Sequence, residues 1–227
     1  MAKNKKKQEV KDEPIALDVQ LNKGEAFIEK NWKKIAIVLG AIIVIVAGVY
    51  IYKHHMADKE LEAQKAIALA QTAFAQQQYE QALKGDGNSK GFLKVIDEFS
   101  GTKTANLAKL YAGLAYAKTD KVDEAIKYLE DFSTQDDDMV SPSAIAALGD
   151  LYVQKGDNEK GINAFIKAAD KANNDAVSPV FLLKAGQVYE SMGQNEKALD
   201  LYNRIKKQYF RSPLSQEIDK YIERATK

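Results

Sequence analysis

The residue types that most often bind metals or form nucleophile–base pairs are scarce in this chain. Cysteine is absent from the 227 residues, and the two histidines, His54 and His55, are adjacent. Neighbouring helical residues point about 100° apart, so two adjacent imidazoles cannot readily share one ion. The absence of cysteine, and of histidine after residue 55, excludes Cys–His and Ser–His arrangements from most of the chain. We therefore expect a protein that is not an enzyme and that needs no metal or cofactor.

Two polar segments could bind ions, and both are better interpreted as turns. In the glycine-rich segment 85–91, Asp86 and Asn88 alternate as in a calcium loop, but Lys90 takes the next alternate position and no glutamate closes the loop. The glycines also do not precede a Lys-Ser/Thr helix start, as a phosphate-binding loop requires. Asp136, Asp137 and Asp138 lie between periodic segments and favour a solvated turn or a helix cap.

The remaining possibility is a binding function. An internal repeat would position the residues that bind. Three segments each place a tyrosine three residues after a glycine, and the glycines are 36 and 37 residues apart. A turn follows each tyrosine, and the second helical segment after it carries a small residue at a matching place and a bulky one four positions later. The small residues would let two helices cross closely, and we expect the bulky ones to fill the space between helix pairs. The Gly/Tyr and small/bulky positions are Gly113/Tyr116, Gly149/Tyr152 and Gly186/Tyr189, then Ala125/Leu129, Gly161/Phe165 and Ala198/Tyr202.

Serine–proline pairs repeat with the same period. They are Ser141-Pro142, Ser178-Pro179 and Ser212-Pro213. Proline suits the first position of a helix, and a serine before it commonly caps the helix. The sequence therefore predicts that each serine is an N-cap.

This pattern resembles the tetratricopeptide repeat, a helix–turn–helix unit of about 34 residues. The early tryptophan of that repeat is absent, since Lys109, Ile145 and Leu182 take its place. The resemblance implies an all-α fold, an α-solenoid of helix pairs behind a single N-terminal transmembrane helix. The predicted organisation is a tail (1–34), a transmembrane helix (35–52) and a repeat domain (53–227) with units at about 58–99, 105–137, 142–174 and 179–210 and a capping helix at 213–227.

Stacked helix pairs form extended surfaces that bind other proteins. By the repeat register, the first helices would present a partner-binding groove. The lysine and asparagine that grip a carboxylate in chaperone-binding relatives are absent from it, so the resemblance implies a groove suited to apolar or helical segments. Leu110 and Leu114 are the residues most expected to contact a partner, although some of these leucines could instead belong to the core. The predicted groove residues are Leu107, Leu110, Leu114, Ala146, Asp150, Val153, Leu183 and Gln187, and the same face would carry Val180 and Glu190.

The segment from Ile35 to Tyr52 is the predicted membrane anchor. It contains 18 residues without a charge, an amide or a proline. At a rise of about 1.5 Å per residue it spans roughly 27 Å, close to the hydrocarbon core of a bilayer. Trp32, Tyr50 and Tyr52 flank it, where aromatic rings prefer the membrane interface. It starts too late and is too long for a typical cleaved signal peptide, so a retained anchor is expected.

Lysines before the anchor predict its orientation. Residues 1–34 carry nine lysines against six acidic residues, and the positive-inside rule places such a tail in the cytoplasm and the large domain outside. Within the anchor, Ala36, Gly40 and Gly48 form a stripe of small residues on which another helix could pack. Ordinary transmembrane composition explains the same stripe.

The whole layout is similar to the YfgM-like group of ancillary translocon subunits. Residues 79–88 and 101–108 look like the Bacteroidota members of that group. The resemblance implies a single-pass protein of the bacterial inner membrane whose periplasmic domain associates with the SecYEG translocon and a PpiD-like chaperone. Nucleic-acid and small-molecule partners are not expected. A second hypothesis is an envelope scaffold that bridges other complexes without handling client proteins.

Overall fold

The structure, a computed structural model, describes residues 16–227, with side chains from Phe27 onward. Every regular element in this part of the chain is a helix, which confirms the all-α prediction. The helices are α1 (Ala16–Ala75), α2 (Tyr79–Lys84), α3 (Phe92–Glu98), α4 (Lys103–Lys118), α5 (Val122–Glu130), α6 (Val140–Gln154), α7 (Asn158–Ala172), α8 (Ser178–Ser191), α9 (Asn195–Gln208), α10 (Pro213–Glu217) and α11 (Asp219–Thr226). The chain divides into two compact units, Met1–His55 and Met56–Lys227.

The first unit contains the apolar stretch of α1. Its large side chains are exposed throughout, as at Ile37 (72%) and Val44 (72%). This helix has the length and composition to cross a membrane, and no residue of its most apolar part is buried. Trp32, Tyr50 and Tyr52 are also exposed. Residues 1–15 of the predicted tail lie outside the described part of the chain.

In the second unit, each predicted glycine meets the bulky residue of its own helix pair. A β-carbon added at Gly113 would lie 2.7 Å from Cγ of Leu129, and one at Gly149 would lie 2.9 Å from Cε1 of Phe165. At Gly186 it would lie 2.3 Å from Cε1 of Tyr202. Glycine therefore lets the two helices of a pair approach closely. Each bulky residue also reaches the next unit, as predicted, since Leu129 clusters with Ala144 and Leu151 of α6 and the Phe165 ring lies 5.5 Å from Nζ of Lys184 on α8.

A fourth helix pair precedes these three, and its second helix is interrupted. Ala70 and Ala82 lie at the positions of Gly113 and Ala125, and both are buried. The glycine-rich segment 85–91 then interrupts the second helix. It separates α2 from α3 and is closed by a backbone bridge between Gly85 and Lys90. Phe92, the first residue of α3, is fully buried and lies in one cluster with Ala70 and Ala82. The loop is thus an insertion within one helix of the repeat.

The C-terminal segment covers the last helix pair. It forms two short helices, α10 and α11, where the sequence predicted one. Ile218, between them, and Ala225 are buried in the core formed with α8 and α9. Tyr221 and Ile222 pack against this core and are partly buried. The tyrosine ring lies 5.7 Å from that of Tyr202.

Only one of the three serine–proline pairs starts its helix as predicted. Ser212 is the N-cap of α10 and accepts a hydrogen bond from the backbone N–H of Leu214. Ser141 and Ser178 instead lie inside the first turns of α6 and α8. Asp137 accepts hydrogen bonds from three backbone N–H groups at the start of α6. Asn174 accepts two at the start of α8. The N-cap prediction is therefore wrong at Ser141 and Ser178.

Candidate partner-binding surface

The predicted groove residues lie on one side of α4, α6 and α8, the first helices of three consecutive pairs. We call this surface the first-helix face. Asp150 and Gln187 are exposed there, and Val180 is 42% exposed. A second group is partly buried. These residues are Leu107, Leu114, Val153, Leu183 and Glu190.

Two predicted groove residues belong to the core. Leu110 is 7% exposed and packs in a buried cluster with Leu129, Phe132 and Leu151. Ala146 is 3% exposed and lies in the neighbouring cluster. These two side chains have no free surface to offer a partner, so we remove them from the candidate surface. The open part of the face is more polar than the sequence indicated.

An ion pair joins consecutive first helices at the centre of this face. The Nζ atom of Lys184 on α8 donates to both carboxylate oxygens of Asp150 on α6, at 2.8 and 2.7 Å. The same Nζ lies 5.5 Å from the ring centroid of Phe165. Both charged side chains are substantially exposed. The centre of the face therefore presents a neutralised pair of charges rather than an apolar floor.

A partly exposed hydrogen-bond network ends the face near the C-terminus. Glu190 accepts from the hydroxyl of buried Tyr202 at 2.6 Å and from Arg224 of α11 at 3.0 and 2.5 Å. The guanidinium of Arg224 and the tyrosine hydroxyl hold the pKa of Glu190 below its ordinary value. Burial and the neighbouring carboxylate raise the pKa of Tyr202. The network attaches α11 to α8 and fixes the position of Glu190.

A polar cleft lies between α3, α4 and α5. Its volume is about 650 Å³. Asn106 fixes one wall, since its amide exchanges two 2.8 Å hydrogen bonds with the backbone of Ser133. Lys109 lies 2.8 Å from Asp131, and Tyr128 also lines the cleft. This cleft offers both charges and an aromatic ring to a ligand.

A more apolar cleft lies between α5, α6 and α7. Its volume is about 480 Å³, and its lining includes Phe132, Ile145 and Leu148. Both clefts border residues 131–135, which follow the early end of α5. That helix has 9 residues, whereas α7 has 15 and α9 has 14. Because α5 is shorter than the second helices of the next two pairs, it leaves parts of α4 and α6 uncovered at the two clefts.

Reasoning from the sequence missed Lys184, Arg224 and the clefts. A signal for the charges exists, because three ion pairs join residues 34 positions apart, the typical length of a tetratricopeptide repeat. They are Asp150–Lys184, Asp170–Arg204 and Glu190–Arg224. Opposite charges separated by one repeat length could therefore have identified contacts between consecutive units. The clefts depend on where α5 ends, which helical periodicity defines poorly.

The other polar candidates have local roles in the structure. Asp86 accepts 2.8 Å hydrogen bonds from Gln81, from the backbone N–H groups of Asn88 and Ser89, and from the Ser89 hydroxyl, so it organises the turn. His54 stacks on Tyr50 within α1. Between Phe27 and Lys227 no cluster of three or more His, Cys, Asp or Glu side chains is arranged to hold a metal ion. Ala36, Gly40 and Gly48 lie exposed on α1, where their role in helix packing stays a prediction.

Comparison with known families identifies the helix pairs. Two family profiles, both described as tetratricopeptide repeat, match residues 107–138 and 181–209 and residues 142–174. Each of the three glycine-centred pairs therefore matches the tetratricopeptide repeat. The matched residues cover the pairs that contain Gly113, Gly149 and Gly186 and do not cover the interrupted pair before them. Comparison with curated protein sequences gave no significant match.

Solved structures share the fold. The nearly identical TPR-like repeats of a Podosopora anserina protein described as a kinesin light chain superpose with a TM-score of 0.52 at 13% identity, over 72% of this chain and 85% of that one. MamA protein superposes with a TM-score of 0.50 at 17% identity, over 75% of this chain and 87% of that one. At these identities the likeness shows the solenoid fold alone. Tetratricopeptide repeats indicate a protein–protein interaction module and are typically not enzymes.

Proposed function

We propose that this protein is a membrane-anchored interaction module that holds other proteins at the periplasmic face of the bacterial inner membrane. The observation that carries the proposal is the combination of an exposed apolar helix of membrane-spanning length with tetratricopeptide repeats on one chain. Lysines before the apolar stretch favour a cytoplasmic N-terminus by the positive-inside rule. A domain of this size is translocated largely regardless of its own charge.

The resemblance to the YfgM-like group supports a more specific proposal, association with the SecYEG translocon and a PpiD-like chaperone during protein export. The first-helix face and the two clefts are the surfaces proposed for these partners. Asp150, Val180, Gln187 and the partly exposed Leu114 are the proposed contact residues. A scaffold that bridges envelope complexes without handling clients is the alternative, and the exposed polar character of the face is compatible with it.

Orientation is tested with single cysteines, since the natural chain has none. Ser133 is exposed in the repeat domain, so Ser133→Cys should react with a membrane-impermeant thiol reagent once the outer membrane is permeabilised. Asn4→Cys, in the tail, should react only after the inner membrane is broken. The reverse labelling would overturn the periplasmic assignment.

Partner identity is tested by crosslinking in native membranes, followed by identification of the captured proteins. Translocon subunits or a chaperone should be enriched over an anchor-only chain that ends at residue 55. Asp150→Lys should lower their yield, because it places two positive charges together at the centre of the face, while the exposed Glu159→Lys on α7 serves as the matched control. Capture of envelope complexes without translocon subunits would favour the scaffold.

A further inference from the structure

One face of α1 in the second unit is exposed at positions whose equivalents on the later first helices are mostly buried; the exception is Val140, the equivalent of Leu61 on α6, which is 48% exposed. Aligning Ala70 with the three repeat glycines places Leu69 with Ala112, Leu148 and Ala185, and Lys65 with Ala108, Ala144 and Phe181. Five of those six equivalents are buried at 0–7% exposure, and Leu148 is partly buried. In contrast, Leu61 is 54% exposed, Leu69 is 55% exposed, and Glu62 and Lys65 are also exposed.

The later helices bury this face against the preceding helix pair, and within the described chain nothing takes that place before α1. The other end of the solenoid is different, because Ile218 and Ala225 of the C-terminal segment cover the last pair. Solenoids generally need capping at both ends, since each unit buries its apolar face only against a neighbour. Leu61, Glu62, Lys65 and Leu69 therefore form an uncovered stacking face.

We propose that the stacking face is covered by the same face of a second copy of this chain. The proposal rests on the membrane anchoring proposed above. Two copies inserted in the same orientation can be related by a two-fold axis only along the membrane normal. Such an axis makes an isologous contact, in which both copies use the same surface. If one residue of the first copy contacts a second residue on the other copy, the reverse contact also forms.

The charges on the stacking face suit this arrangement. Glu62 and Lys65 lie three residues apart, about one helical turn. Neither has an ion-pair partner among residues 27–227. A two-fold axis between them places each Glu62 beside Lys65 of the second copy, which forms two equivalent pairs. Leu61 and Leu69 flank these charges on either side and would lose their exposed apolar surface to the contact.

The proposal is tested with the full chain reconstituted alone in phospholipid vesicles. Leu61→Cys and Leu69→Cys should each form a disulfide-linked dimer of twice the chain mass under mild oxidation. Phe210→Cys is the matched control, since Phe210 is a similarly exposed apolar residue (65%) outside both the stacking face and the first-helix face, and it should give only the slow product of random collisions. Dimer formation at the control rate in both test variants would overturn the proposal.

Charge reversal separates a specific contact from non-specific apolar association. In the Leu61→Cys background, Glu62→Lys or Lys65→Glu should slow dimer formation about threefold, the range expected for exposed ion pairs, and the double reversal should restore it. A double reversal as slow as the single changes would overturn the two-fold arrangement. Carbonate extraction of the vesicles gives a separate reading. If carbonate releases the chain from the vesicles, the proposed membrane anchoring is refuted together with the dimer. If the chain stays in the membrane but forms no dimers, only the proposed contact between two copies is refuted.

Discussion

The contact between Gly186 and Tyr202 gives the most direct test of how the repeats pack. At an exposed position inside a helix, Gly→Ala would stabilise the protein by about 1 kcal/mol, because alanine has the higher helix propensity. Here a β-carbon at residue 186 would lie 2.3, 2.8 and 3.0 Å from three ring atoms of Tyr202. That ring is fully buried and its hydroxyl is held by Glu190, so it cannot move aside freely.

Overpacking of a core by one or two methyl-sized groups typically costs about 1–3 kcal/mol, and the crowding at Gly186 lies at the severe end of that range. After the gain in helix propensity, we expect Gly186→Ala to destabilise the domain by about 1–2 kcal/mol. For a domain of this size the melting temperature should fall by roughly 2–8 °C. The measurement is thermal unfolding of the full chain in detergent micelles, followed by far-ultraviolet circular dichroism.

Two controls make the result specific. Tyr202→Leu alone should destabilise the domain by leaving a cavity, but its effect and that of Gly186→Ala should not add, because the smaller side chain admits the new methyl group. Gly113→Ala should cost less than Gly186→Ala, since its nearest neighbour, Cγ of Leu129, lies at 2.7 Å rather than 2.3 Å and belongs to an aliphatic side chain rather than a rigid ring. A higher melting temperature for Gly186→Ala would refute the packing argument, because helix propensity would then decide the outcome.

Three further predictions concern charge and capping. The pKa of Glu190 is lowered in the folded protein by Arg224. The ionised carboxylate therefore contributes stability above the ordinary glutamate pKa, and this contribution is lost as the pH falls below it. Between pH 6 and pH 3, the melting temperature of Glu190→Gln should fall less than that of the natural protein. The pKa of Tyr202 is raised by burial, so its contribution is lost as the pH rises above about 10, and Tyr202→Phe should show less alkaline destabilisation in the same assay. Asp137→Ala should destabilise the protein by about 1 kcal/mol, because α6 loses the acceptor of three N–H groups, whereas Asp136→Ala, in the adjacent exposed position, should leave the melting temperature unchanged.

The repeat register could be predicted from the sequence because it depends on size at fixed spacing. A glycine and a bulky residue 16 positions later recur in three pairs, and the structure places them in contact each time. The helix starts were less predictable, because two residues compete for the same N–H groups. Asp137 and Asn174 lie four residues before Ser141 and Ser178 and take the capping role. Gln208 lies four before Ser212, and there the serine caps its own helix.

The partner surface was only partly predictable, for a different physical reason. The spacing of Leu107, Leu110 and Leu114 places them on one side of α4, but spacing does not show how closely the next helix pair approaches. In the structure Leu110 is buried among residues of α5 and α6, while Leu107 and Leu114 lie at the edge of the same cluster. The clefts beside α5 were unpredictable for the same reason, since they arise from the length of one helix relative to its neighbours.

The interactions that hold the repeats together differ in strength from those displayed on the first-helix face. The Gly–bulky contacts are buried and admit no added atom without displacement of a neighbour. The Asp150–Lys184 pair is exposed at both ends, and exposed ion pairs are typically worth about 0–1 kcal/mol. A partner that presents its own charge to either residue would therefore replace this pair at little cost to the fold. Because folding and the polar face depend on different residues, changes at Asp150 or Lys184 should alter partner capture while the melting temperature stays almost constant.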